Sequence, residues 1–171
     1  MKRFAPVVSM LSFAGVVFAC GGGSSLPETE PCPTPTATPT ARGGGSGGQT
    51  FLYRRTVQDG DRVLTGLLDR FRADYPEDTF YRRDAFRPDF AGWAAASKCV
   101  TANMRALNAP GNNEPLKTFD ATLETILTDY DVAVDRGSDA VRTRNTSDYK
   151  SFFRRLDGVV SRLKEHMGAM P

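Results

Sequence analysis

Beyond about residue 50 the apolar side chains of this 171-residue chain recur at intervals of three and four rather than two, and that period restricts its folded part to helices. Four such stripes are legible. Tyr53, Val57, Leu64, Leu68, Phe71 and Tyr75 predict a first helix over Thr50–Tyr75, ended by Pro76. Gly60 and Gly66 each weaken it by roughly 1 kcal/mol relative to alanine. Either they permit close packing, or the helix starts later with Asp59 or Asp61 as its N-cap.

Phe90, Trp93, Val100, Met104 and Leu107 mark a second helix over Pro88–Asn108. Its many alanines allow close approach, so it is expected to be the most buried of the set. A third opens at Pro115 and carries Leu116, Phe119, Leu123, Ile126, Leu127, Tyr130, Ala133 and Val134 on one side. Its period runs on through Ala140 and Val141, and whether Gly137 kinks or breaks it is left open. Asn145-Thr146-Ser147-Asp148 supplies a turn and an N-cap for a fourth helix that uses Tyr149, Phe152, Phe153, Leu156, Val159, Val160, Leu163 and Met167. Together these predict an all-α, antiparallel four-helix bundle-like domain over residues 50–171, long enough for one independent core.

Residues 20–49 have a different composition. Gly21-Gly22-Gly23-Ser24-Ser25, a Pro-Thr alternation from Pro31 to Thr40, and Gly43-Gly44-Gly45-Ser46-Gly47-Gly48 leave almost nothing apolar to bury. Such a segment cannot offset its ordering entropy, so it is expected to be a disordered tether spanning on the order of 30 Å or more. The glycines are no phosphate loop, for they lack the Lys-Ser/Thr ending and no apolar strand precedes them.

Residues 1–19 read as a signal peptide: Lys2 and Arg3, an apolar run from Val7 to Phe18, and small Ala19. The run is too short for a helix that crosses a bilayer, which takes about 20 residues. Val17-Phe18-Ala19-Cys20 resembles the lipobox of bacterial lipoproteins, although Phe18 is bulkier than the usual occupant of its position. The resemblance covers the leader alone. It implies cleavage before Cys20, lipidation of the Cys20 thiol, and a protein held by lipid on the extracytoplasmic side of a cell membrane or outer membrane.

The formal charge of +2 comes from Lys2 and Arg3, since all 20 acids lie beyond Cys20 with only 20 of the 22 bases. The chain that follows is neutral, which argues against nucleic acid as a partner. Glu114–Asp139 holds seven acids against Lys117 and Arg136, whereas Arg142–Glu165 holds seven bases against three acids. The third and fourth helices are therefore expected to pair electrically, with Asp131, Asp135 and Asp139 facing Arg142, Arg144, Arg154 and Arg155. With Cys20 lipidated, a Cys32–Cys99 disulfide would contribute about 4 kcal/mol. The preferred reading leaves Cys32 free and Cys99 a small buried thiol.

No catalytic residue, cofactor or metal site is expected. His166 is the only histidine, so a triad-like or multi-histidine zinc site has no second imidazole. It reads as a cation near a helix C-terminus, in preference to a haem ligand with Met104 or Met167. An enzyme built on carboxylates alone is a remote alternative. Asn145-Thr146-Ser147 fits a glycosylation sequon, but a helix turn needs the same residues.

Two candidate binding groups remain. Phe80, Tyr81, Phe86 and Trp93 either line a small-molecule pocket or plug the end of the core. Arg142, Arg144, Tyr149, Arg154 and Arg155 could meet an acidic envelope protein or a cell-wall polyanion. The expectation is a membrane-anchored binding or scaffolding module, with a ligand-binding or sensory bundle near Trp93 as the alternative.

Overall fold

Each stripe becomes one helix, and each break falls where the backbone chemistry demands it. The structure is a computed structural model and describes residues 46–76 and 84–171. The helices are α1 (Ser46–Asp74), α2 (Phe86–Arg105), α3 (Glu114–Thr143) and α4 (Thr146–Gly168). The leader, Cys20, Cys32 and most of the tether lie outside the described residues, as do Phe80 and Tyr81.

The boundaries follow local physics. Asn113 accepts from the Leu116 amide ahead of Pro115, and Asn145 accepts from the amides of Ser147 and Asp148. Both asparagines thus satisfy donors that the first turn leaves open. Arg144 ends α3 with φ 57°, the left-handed conformation usually given to glycine. The first helix starts at Ser46, so Gly47, Gly48 and Gln49 belong to it and not to the linker; all three are exposed and unpacked turns that extend an already nucleated helix. The second begins two residues earlier and stops three earlier than the stripe suggests. Nothing breaks at Gly137.

Neighbouring helices run in opposite directions. Phe71 stacks on Trp93 while Gly60 lies against Met104, Lys98 meets Asp135 while Arg105 meets Glu124, and His166 of α4 lies on Phe119 of α3. Arg72 of α1 pairs with Asp157 of α4 and closes the ring of four. The result is the antiparallel four-helix bundle that the periodicity implies.

The two core glycines are close-approach positions. At Gly137 a Cβ would lie 2.7 Å from the Phe152 ring, so α3 and α4 touch there only because the side chain is missing. At Gly60 the neighbour is the flexible Met104 side chain. This decides between the two readings of Gly60: it permits packing and no helix starts beside it. Gly66 meets nothing and has no such role.

The core runs the length of the bundle, from Tyr53, Leu116 and Leu163 at one end to Phe86, Tyr149 and Phe152 at the other. The third helix, not the second, contributes most, with eleven buried residues against seven. The reason is length and pattern: α3 runs 30 residues against 20 with a broad apolar stripe, whereas the alanines of α2 at 95 and 102 point to solvent. On α2 the buried set includes Ser97 and Thr101, which the apolar pattern passes over.

Candidate functional site

The aromatic residues between the first two helices go into the core. Phe86 and Trp93 are each 2 % exposed. They join Phe71, Tyr75, Phe90, Tyr149, Phe152 and Phe153 in one continuous set of rings, with centroids 5.1 Å apart for Phe71 and Trp93 and 5.6 Å for Phe90 and Phe152. Most contacts are tilted or edge-to-face, the arrangement favoured by ring quadrupoles. Phe86 and Trp93 therefore fill the end of the bundle, and neither lines either of the two grooves described below. Tyr149 is wholly buried in the same set, so it has no surface to offer a partner.

The remaining members of the basic group, Arg142, Arg144, Arg154 and Arg155, are exposed at this same end. Only Arg142 among them pairs with an α3 acid, and that within its own helix; Arg144, Arg154 and Arg155 do not pair across the α3–α4 seam as the charge pattern suggested. Asp131 accepts from Thr101 at 2.8 Å and from Arg105 at 2.6 Å, and Asp135 meets Lys98, all across the α2–α3 seam. Asp139 pairs with Arg142 of its own helix at 2.9 Å. The physical reason is the 100° helical step: Glu124, Asp131 and Asp135 fall on the flank of α3 turned to α2, while Asp129 and Arg136 fall on the flank turned to α4. Only Asp129 makes the expected kind of bond, to Arg162 at 2.7 Å.

Two grooves follow the α3–α4 seam, one at each end. The first, of about 840 Å³, lies beside the start of α3 and the end of α4 and is lined by Lys117, Thr118, Thr122, Thr125, Arg162 and His166, among others. Its basic side chains Lys117 and Arg162 are paired, with Glu114 at 2.6 Å and with Asp129. Its threonine hydroxyls donate to carbonyls one turn back, as Thr122 does to Thr118. His166 stacks on Phe119 with centroids 4.0 Å apart, and its Nε2 lies 2.9 Å from the Phe119 carbonyl. That histidine sits in the last turn of α4, where a cation suits the helix dipole, and its contacts hold the end of α4 against α3.

The second groove, of about 400 Å³, lies between the end of α3 and the first turns of α4. Arg136, Arg142, Thr143, Ser151 and Arg155 line it over a floor of Ala140 and Phe152, with Asp139 and Asp148 also on its walls. From Arg136 to Arg155 the chain carries six bases and two acids. Arg142 and Arg155 thus come together as part of the expected basic group, and Arg136, a minority charge in an otherwise acidic stretch of α3, joins them.

Inside the bundle the ionisable groups are structural. The Tyr53 hydroxyl donates to Asp120 at 2.7 Å, and burial followed by that carboxylate pushes the phenol well above its ordinary value. Burial raises the Tyr130 phenol to about 12, with the Ser97 hydroxyl pulling it down and Asp131 pushing it up. Cys99, half-buried on α2, is disulfide-bonded, which overturns the free-thiol reading of that residue; no other described residue is a cysteine. Among the described residues no three of His, Cys, Asp and Glu gather as metal ligands, and no helix is long and apolar enough to cross a membrane. No protein-family model, curated protein or solved structure matches the chain.

Proposed function

We propose that the chain is a lipid-anchored, extracytoplasmic binding module that holds its helical bundle away from a membrane and works through the far end. The observation that carries this reading is the polarity of the bundle. The tether joins at the start of α1, where α2 ends, α3 begins and α4 ends; the surplus of arginines lies at the opposite end, around the α3–α4 turn. A 30-residue helix such as α3 separates those ends by about 45 Å. Val17-Phe18-Ala19-Cys20 and the Gly/Pro/Thr-rich segment behind it support the anchor and the spacer.

A binding role also accounts for the charges at the far end. Most charged groups elsewhere on the bundle are neutralised across helix seams or within a turn, which serves stability and leaves little for a ligand. An acidic envelope protein or a cell-wall polyanion fits the groups that are left over. Fractionation of cells expressing Cys20→Ser tests the anchor: the reading expects the variant in the soluble fraction, and membrane pelleting equal to the unaltered chain would reject it.

A further inference from the structure

We propose that the groove between the end of α3 and the first turns of α4 is a binding site for a phosphate-bearing polymer, gripped from its two walls by Arg136 and Arg155. This deepens the reading above and rests on it for one step only, the choice of polymer over lipid headgroup.

The two guanidiniums, both exposed, stand apart from the cations that bridge the helix seams. Arg72, Lys98, Arg105 and Arg162 each meet a carboxylate on a neighbouring helix. Arg136 and Arg155 have no carboxylate partner among the described residues, though two acids share their groove. Asp139 is taken by Arg142, and Asp148 accepts from the Asn145 amide nitrogen at 2.7 Å while lying in the first turn of α4, where the helix dipole favours it. Folding thus holds two positive groups on facing helices over a shared apolar floor without neutralising either. Three arginines stand against two acids in the groove, a positive surplus that an entering anion would meet.

The donor set selects the anion. A carboxylate is satisfied by one guanidinium fork, whereas a tetrahedral phosphate offers oxygens to both walls at once and to the hydroxyl of Ser151. Arg144 and Arg154 continue the positive surface beyond the groove, which suits a chain of repeated phosphodiesters better than a single ion. The site lies at the end of the bundle away from the tether, so headgroups of the membrane that holds the anchor are the less accessible source.

The test uses the full mature chain in detergent and a fluorescently labelled glycerol-phosphate polymer, followed by anisotropy. The proposal expects binding that weakens with salt, about a tenfold loss in Arg136→Ala/Arg155→Ala, and a smaller loss of about threefold in Arg136→Lys/Arg155→Lys, which keeps the charge but not the fork. Arg55→Ala/Arg62→Ala removes the same charge from α1 and is expected to bind within about twofold of the unaltered chain. Circular dichroism confirms that each variant is folded. Equal loss in the Arg136/Arg155 and Arg55/Arg62 variants, equal affinity for polyglutamate, or tighter binding to phosphatidylglycerol vesicles than to the polymer would each overturn the proposal. Because this binding needs no acyl chain, its failure is distinguishable from a failure of the anchor, which only the Cys20→Ser fractionation reads.

Discussion

The two ends of this bundle solve the same problem, closing a core where helices stop, in different ways. At the tether end the closure is polar and paired: Tyr53 on Asp120, Lys117 on Glu114, Arg105 on Glu124, and His166 on the Phe119 carbonyl. At the far end the closure is eight aromatic rings beneath a surface on which Arg136, Arg144, Arg154 and Arg155 have no carboxylate partner among the described residues. Apolar packing supplies stability without using charge, so an end sealed by rings can leave its cations unpaired. The difference supports the proposal of anion binding at the far end, where the core is closed by rings and does not depend on the surface arginines.

The largest effect expected from perturbing this contrast is at Phe152, which touches Phe90, Trp93, Tyr149 and Phe153 and fills the space opposite Gly137. Phe152→Ala removes the ring that links the aromatic set to the α3–α4 seam and is expected to cost about 3–5 kcal/mol in urea unfolding. Next is Gly137→Ala, whose new Cβ must displace that ring; about 1–3 kcal/mol is expected. Combining Gly137→Ala with Phe152→Ala should cost less than the two separately, because the cavity accepts the methyl group, and strict additivity would place their effects elsewhere.

Stability is expected to fall at alkaline pH through two phenols, Tyr53 near the tether end and Tyr130 midway along α3. Both Tyr53 and Tyr130 have phenols raised above the unfolded value, so they contribute stability that is complete below about pH 10 and is lost as pH climbs through about 12 and beyond. Urea midpoints at pH 9 and pH 11 should differ, and Tyr53→Phe should narrow the difference while costing about 1 kcal/mol at neutral pH for the lost bond to Asp120. An unchanged alkaline slope in that variant would remove Tyr53 from the account.

Smallest is the expected response of Arg144, the non-glycine residue held at φ 57°. Arg144→Gly relieves the left-handed conformation and is expected to stabilise the fold by up to about 1 kcal/mol, read as a higher melting temperature. It should leave Asn145 free to cap α4 as before.

The fold was legible because its signals are one-dimensional. Period, proline and asparagine placement give four helices, and the structure shifts their ends by a few residues where exposed turns such as Gly47-Gly48 extend a helix that nothing in the apolar pattern marks. Gly137 was ambiguous for a related reason: a glycine reads as a break or as a close contact depending on what faces it, and only the position of Phe152 decides.

The site was less legible because it depends on angle and register between helices. A summed charge for α3 suggests an acidic helix that answers a basic α4, yet the acids at 131 and 135 face α2, and Arg136 faces α4. A 100° projection of residues 114–143 separates those two flanks, so that signal was present in the sequence. No comparable projection brings Arg136 to Arg155, since it requires knowing which turn of α4 lies opposite. Likewise Tyr149 looks like an interfacial tyrosine in sequence and is a core residue in space, because its position in the apolar stripe outweighs its hydroxyl.

The most direct test of the contrast between the ends follows the arginine side-chain Nε–H signals of the isotopically labelled full chain while inorganic phosphate is added. The account predicts saturable shifts at Arg136 and Arg155, with the paired Arg105 and Arg162 unmoved until those saturate. Uniform, unsaturable drift across all arginines, or shifts appearing first at Arg105 and Arg162, would contradict it.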